Sequence, residues 1–223
     1  MGEGEAYKPW LRVQDVNSRG HSGKIYGIKT HRQHHTLSEH ETCFFYLAEF
    51  NVCVCDIREQ FPLLPLDLSV KIAKTIGVKH PSVPRKDTCN IMTTDFVLTC
   101  FDGERTWYEA ISVKPQEELK NKRVAEKLDI ERIWWQLQGI RFQVFAMTAQ
   151  NKIQSRNIQW ITAPIRQGCD SPQSMLSHAL SLVSVGIILI EDLCNVFIND
   201  MKIDQDKALI IIKLLIYKKN NCR

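Results

Sequence analysis

The segment from Thr94 to Lys114 constrains this chain more than any other. Thr94-Asp95-Phe96-Val97-Leu98-Thr99-Cys100-Phe101 is rich in strand-forming residues, and Asp102-Gly103 is a strong hairpin-turn signal. Thr106 to Lys114 then runs back, until Pro115 stops it. A tight turn centred on Asp102-Gly103 sets Asp95 opposite Ala110. Side chains alternate along a strand, so Asp95, Ala110, Ser112 and Lys114 share one face at the end far from the turn. An acid and a lysine brought together at a strand edge can hold a metal ion and orient a water beside it. That pairing suits metal-dependent hydrolysis of phosphodiesters.

The flanking elements place this hairpin in a sheet. Ser38-Glu39-His40-Glu41 opens a helix running to about Phe50, and Val52 to Ile57 reads as a strand. The prolines of Phe61-Pro62-Leu63-Leu64-Pro65-Leu66 lack ladder donors and argue against its continuation. A short helix over Asp67 to Gly77 and a basic loop over Lys79 to Lys86 precede the hairpin. After it, Glu117 to Gln138 holds strong helix formers with no Gly or Pro, Gly139 stops the helix, and Arg141 to Met147 is another strand. A hairpin followed by a helical crossover into a further strand predicts an α/β mixed sheet with helices packed on it. Near Ala163 to Pro172 the chain turns rich in Pro and Gly, which predicts one domain over 1–165 and a small helical one over 166–223.

Composition narrows the setting. A chain of 223 residues can bury a real core, and a net charge of +4 permits nucleic-acid binding without demanding it. The polar start Met1-Gly2-Glu3-Gly4-Glu5 predicts no export signal, hence a cytosolic protein whose 8 cysteines are reduced. No C-x-x-C pair occurs, and Cys53 and Cys55 are expected to be buried in a strand rather than to bind zinc. Met175 to Ile190 is interrupted by Ser177, His178, Ser181, Ser184 and Gly186. It falls short of the ~20 residues of a membrane span, which predicts a buried helix and no membrane partner. His31, His34, His35 and His40 complete no paired ligand spacing, so an exposed or DNA-facing loop is expected there rather than a metal site. Trp134 and Trp135 are expected in the core. Lys79, Arg85, Lys86, Lys120, Lys122 and Arg123 are candidates for a phosphate-contacting rim.

The order helix, strand, strand, strand, helix, strand, with an acid on one core strand and x-x-Lys ending the next, is similar to the restriction-endonuclease-like nuclease core. A closer resemblance rests on separated motifs that keep their order along the chain. These are Lys8-Pro9-Trp10-Leu11, His34-His35-x-Leu37-Ser38, Asp56-Ile57-Arg58-Glu59-Gln60-Phe61-Pro62-Leu63-Leu64-Pro65, Lys79-His80-Pro81, Thr94-Asp95-Phe96, Val113-Lys114-Pro115 and Lys127-Leu128-Asp129-Ile130-Glu131-Arg132. Together, over most of residues 7–165, they resemble the TnsA family, endonuclease subunits of heteromeric cut-and-paste transposases.

The resemblance implies a DNA endonuclease that cuts the 5′ ends of a transposon in the bacterial cytosol or nucleoid. Its implied partners are double-stranded DNA, a TnsB-like integrase subunit and a TnsC-like ATPase regulator. It implies Glu41, Asp95 and Lys114 as catalytic residues. Glu41, Asp95 and the Val113 backbone carbonyl would hold Mg²⁺, for which Mn²⁺ is a possible substitute. Arg58 and Glu59, in the most family-like block, either touch DNA or brace the sheet. Glu41 also has a structural explanation, since Ser38-x-x-Glu41 is a capping-box pattern. One position departs: Ser112 stands where such nucleases carry Glu, or Gln in this family, and a hydroxyl is a weak Mg²⁺ ligand. The family's C-terminal winged-helix-type domain would here be shortened, since residues 174–220 read as helices with little room for a wing. Two alternatives remain: a stand-alone restriction or repair nuclease of the same fold, and a non-catalytic adaptor bridging transposase subunits.

Overall fold

The structure is a computed structural model that describes residues 2–16, 22–83 and 88–221, the last without its side chain. It divides into two compact units, Met1–Ser155 and Arg156–Arg223. In the first, β1 (Gly23–Tyr26) and β2 (Gln33–Thr36) form an antiparallel ribbon. There follow α1 (Glu39–Phe50), β3 (Val54–Pro62), α2 (Leu66–Thr75), β4 (Thr93–Phe101), β5 (Thr106–Lys114), α3 (Lys122–Leu137), β6 (Arg141–Ala146) and α4 (Ala149–Arg166). The main sheet has the order β3-β4-β5-β6. Its first three strands are antiparallel, and β6 joins β5 in parallel after the α3 crossover. This is a mixed sheet flanked by helices, with the restriction-endonuclease-like element order expected from the sequence.

Local chemistry sets the boundaries that matter for the site. Ser38 caps α1, its Oγ accepting the Glu41 N–H at 3.2 Å. At the other end Lys29 Nζ donates to the Asn51 and Val54 carbonyls at 2.5 and 2.7 Å, tying the α1–β3 turn to the ribbon. Asn121 caps α3 by accepting the Arg123 and Val124 N–H groups at 2.8 and 3.4 Å. Gly139, at φ 70°, ends that helix in the left-handed conformation that glycine tolerates. β3 runs on to Pro62, farther than the prolines suggested. It is an edge strand and Pro62 is its last residue, so the missing N–H costs the ladder little.

The hairpin differs from the tight turn read in the sequence. Four residues, Asp102 to Arg105, connect the strands, and Phe101 pairs with Thr106. The Asp102 carboxylate holds this loop by accepting the Glu104 and Arg105 N–H groups, both at 3.0 Å. The longer loop moves the register by two, so Val97, not Asp95, lies opposite Ala110, and Asp95 comes across from Ser112. A shift of two preserves the side-chain parity, and with it the shared face of Asp95, Ser112 and Lys114.

Two layers of core enclose the sheet. On one face Val97 and Ala110 pack against Ile130, Trp134 and Trp135 of α3, with Leu63, Ile72 and Ala73 around α2. On the other, Phe44 of α1 sits against Phe96 and Phe145, ring centroids 5.1 and 4.9 Å away. Fully buried side chains of this size each contribute roughly 1.5–3 kcal/mol.

In the second unit, the end of α4 leads to α5 (Gln173–Ser181), α6 (Ile190–Met201) and α7 (Gln205–Asn221). Leu176, Ala179, Leu193, Phe197, Ala208 and Ile211 form its core. The compact units divide inside α4, ten residues before the 165/166 boundary drawn from composition. Ile165, near the end of α4, packs on the second unit's core. The single buried helix expected over Met175 to Ile190 is not there: α5 stops at Ser181, and Val185 and Ile187 are fully exposed. β-Branched residues around Gly186, whose φ is 143°, disfavour helix through this stretch.

Candidate active site

At the open end of the hairpin one carboxylate oxygen gathers three donors. Asp95 Oδ2 accepts from Ser112 Oγ at 3.1 Å, from the Val113 N–H at 2.7 Å and from Lys114 Nζ at 2.8 Å. Lys114 Nζ also donates to the Val113 carbonyl at 2.9 Å. The ammonium thus lies between the carboxylate and the carbonyl implied as metal ligands. Burial works against the Lys114 charge, but Asp95, by charge and hydrogen bond, together with Glu131 and Glu41, holds its pKa above the ordinary lysine value.

Glu41 approaches from the other side of the sheet. Phe96, which packs on α1, alternates with Asp95, so α1 covers the face opposite the one carrying Asp95. Glu41 Oε1 accepts from Ser38 Oγ at 2.9 Å, and Oε2 from the Leu37 N–H at 2.9 Å and Gln60 Nε2 at 3.2 Å. Half of the expected capping box is present, the Ser38 cap on the Glu41 N–H; the Glu41 carboxylate reaches past the Ser38 N–H to that of Leu37, and it also feels the Asp95 charge. Burial first, and Asp95 second, raise its pKa to about 7 against the pull of those hydrogen bonds and of Lys114.

A third carboxyl, which sequence reasoning did not single out, comes from α3. Glu131 is buried, and its Oε1 has no hydrogen-bond partner. Burial, then the Asp95 charge, pushes its pKa up to about 8, while Lys114 and hydrogen bonding with Thr94 and Ser112 act the other way. The signal was present in the helix pattern. Glu131 lies three and four residues before Trp134 and Trp135, so it shares the apolar, sheet-facing side of α3. A glutamate there needs a partner or a task.

Three carboxyl groups act on one another and on one ammonium here, and a divalent cation would relieve the repulsion between those that are ionised. Among the described residues no three His, Cys, Asp or Glu side chains converge closely enough to bind a metal by themselves. Magnesium, however, is commonly held by one or two carboxylates with water and substrate phosphate. The hard oxygens of Asp95, Glu41 and the Val113 carbonyl fit that mode, and Glu131 Oε1 adds a buried oxygen without a donor.

The remaining sequence candidates lie elsewhere. Glu59 is fully buried: Oε1 accepts from Arg32 Nη1 at 2.9 Å and the His35 N–H at 3.1 Å, and Oε2 pairs with Arg32 Nη2 at 2.6 Å and His34 Nδ1 at 2.7 Å. The two arginine and histidine contacts, set against its burial, lower its pKa to about 2. His34 is likewise inside the fold, its Nε2 2.6 Å from Thr30 Oγ1, not in an exposed loop. Arg58 is buried too, donating to Thr99 Oγ1 at 2.8 Å with its guanidinium 5.4 Å from the Tyr108 ring. Both residues of the Arg58-Glu59 pair brace the sheet. Glu109 faces away from the site, as its parity required, accepting from Trp107 Nε1 and Gln143 Nε2. Cys55 is exposed at a bulge in β3 and Cys53 precedes the strand, so neither is the buried strand residue expected. Lys79, Lys120 and Lys122 are exposed and Arg123 pairs with Glu126 at 2.8 Å, while Arg85 and Lys86 lie outside the described residues. Among the described residues no helix is long and apolar enough to cross a membrane.

Comparison with known proteins points to one family. The family model described as TnsA-like endonuclease N terminal matches residues 51–147, which contain Asp95, Ser112, Lys114 and Glu131. The Transposon Tn7 transposition protein TnsA of Escherichia coli is 44% identical over 161 residues, covering 72% of this chain. The chain spans 58% of that relative's length. With its mixed sheet, its Asp95–Lys114 hairpin and these two matches, the chain belongs to the TnsA family.

Proposed function

We propose that this chain is a Mg²⁺-dependent DNA endonuclease subunit of a cut-and-paste transposase, cleaving phosphodiester bonds at the 5′ ends of the transposon. The observation that carries this reading is the cluster of Asp95, Ser112, Val113 and Lys114 with the Glu41 and Glu131 carboxyls at one end of the sheet. The similarity to a transposition protein supports the biological setting.

Asp95, Glu41 and the Val113 carbonyl would hold the cation. When bound, Mg²⁺ would polarise the scissile phosphate and lower the pKa of a water. Lys114, kept charged by Asp95, offers its ammonium to the negative charge that develops on the phosphate. Ser112, standing where a stronger ligand is usual, instead donates its hydroxyl to Asp95 and fixes which carboxylate oxygen faces the lysine. Glu131 keeps its proton at neutral pH and so limits the negative charge packed behind Asp95. Double-stranded DNA at the transposon ends is the substrate. A TnsB-like integrase subunit would cut and join the 3′ ends, a TnsC-like ATPase would regulate both, and the assembly would work in the bacterial cytoplasm.

The test is a strand-resolved cleavage assay on transposon ends with Mg²⁺, with and without partner subunits. Asp95→Ala, Glu41→Ala and Lys114→Ala are each expected to cut 5′-strand nicking by at least about 10²-fold while assembly persists. Unchanged nicking by Asp95→Ala sinks the proposal. Vigorous cutting by the chain alone would instead identify a stand-alone nuclease. Assembly without cutting would identify an adaptor.

A further inference from the structure

Gln60 occupies an unusual backbone position beside the site. It lies within β3 at φ 49°, left-handed backbone that a residue other than glycine seldom adopts. The ladder pairs Glu59 with Phe96 and Phe61 with Thr94, so Gln60 stands across from Asp95. Its side chain is buried and both ends of its amide are used. Nε2 donates to Glu41 Oε2 at 3.2 Å, and Oε1 accepts from Thr93 Oγ1 at 2.9 Å.

The conformation is held from both sides. The Gln60 carbonyl accepts the Trp10 N–H at 3.2 Å. The preceding Glu59 is clamped by Arg32 and His34, and its carbonyl accepts from Tyr7 Oη at 2.8 Å. The following Phe61 packs on Trp135, ring centroids 5.5 Å apart. A carboxylate has about four acceptor positions. On Glu41, Leu37 and Gln60 occupy those of Oε2, and Ser38 takes one on Oε1. One position, on Oε1, is left.

We propose that Gln60 is a positioning residue that fixes the Glu41 carboxylate so that only Oε1 is offered to the cation, as a single-oxygen ligand. The Thr93 hydroxyl orients the Gln60 amide with its NH₂ end toward Glu41, and the locked β3 backbone holds that amide in place. This inference rests on the metal-site reading above.

The experiment measures Mn²⁺ binding to the full chain without DNA, by calorimetry or by the loss of the free-ion electron paramagnetic resonance signal. Circular dichroism melts confirm that each variant folds. Gln60→Met keeps the volume and loses the donor. Gln60→Asn tolerates the left-handed backbone but is one methylene too short to reach. Each is expected to weaken Mn²⁺ binding by about tenfold, the lower end for partners of metal ligands. Adding Gln60→Met to Glu41→Gln is expected to cost nothing beyond Glu41→Gln alone, because the two act through one carboxylate. If the Gln60 variants do not fold, Thr93→Val, which removes the hydroxyl that orients the amide, carries the same test.

Wild-type Mn²⁺ affinity in a folded variant, or losses that multiply in the double variant, overturns the role given to Gln60. Asp95→Asn separates this failure from that of the underlying reading. If Asp95→Asn and Glu41→Gln also bind Mn²⁺ normally, the metal site itself falls. If they lose binding and the Gln60 variants do not, only the positioning role falls.

Discussion

At the scale of single residues, Glu131 has the most perturbed carboxyl of the site. Its folded pKa is about 8 against an ordinary 4.5, so the native state binds this proton more tightly than the unfolded chain does. The resulting stability is complete below the ordinary value and is lost as pH rises toward 8, where the buried group must ionise. Glu131→Gln keeps the shape and cannot ionise. It is expected to melt close to the wild type near pH 5 and higher at pH 8.5, by a margin on the order of a few kcal/mol. Equal melting of the two proteins at both pH values would contradict the buried-acid assignment. Asp95 and Lys114 were legible in the sequence because strand parity and a hairpin signal suffice to bring them together. Glu131 was not, because its role depends on how α3 rotates against the sheet, and that helix lacks a clean apolar stripe. Gln60 was hidden for a different reason: nothing in its neighbours announces a left-handed backbone.

At the scale of elements, the helices that frame the site depend on their caps. Asn121 accepts two N–H groups at the start of α3, the helix that carries Glu131 and packs Ile130, Trp134 and Trp135 on the sheet. Asn121→Ala is expected to cost about 1 kcal/mol and lower the melting temperature by a few degrees, whereas Asn121→Ser restores most of it. A thermal melt of the three proteins decides this. The elements themselves were mostly readable, since capping signals, glycine stops and strand-forming runs are local. The hairpin register was not, because the Asp102 side chain stabilises a four-residue loop where Asp102-Gly103 alone signals a two-residue turn. The strand pairing of β1 and β2 leaves little trace in the sequence, because each has only four residues, too few for a pattern.

At the scale of the molecule, two cores imply two units that respond separately to damage. Phe197 is completely buried in the second, among Leu176, Leu193 and Ile211. Phe197→Ala is expected to cost roughly 3–5 kcal/mol there. Calorimetry should show a lowered transition for that unit alone, with Mn²⁺ binding unchanged, since every residue of the site belongs to the first. The composition change near Ala163 lies a few residues beyond this division. It could not locate it within α4, because a helix can begin in one unit and end in another without a break in its pattern.

The Arg32–His34–Glu59 cluster bears on how this sequence can change over generations. Glu59 has no water to fall back on, so replacing Arg32, which holds both of its oxygens, leaves a buried carboxylate without its counter-ion, at a cost of about 3–5 kcal/mol, whereas replacing His34 leaves Arg32 and the His35 N–H in place. Replacing Glu59 alone strands the guanidinium instead. Single steps away from Arg32 or Glu59 are therefore steep, and a change at one is expected only together with a change at the other: the pair ties the β1–β2 ribbon to β3, the strand beside the Asp95–Lys114 hairpin.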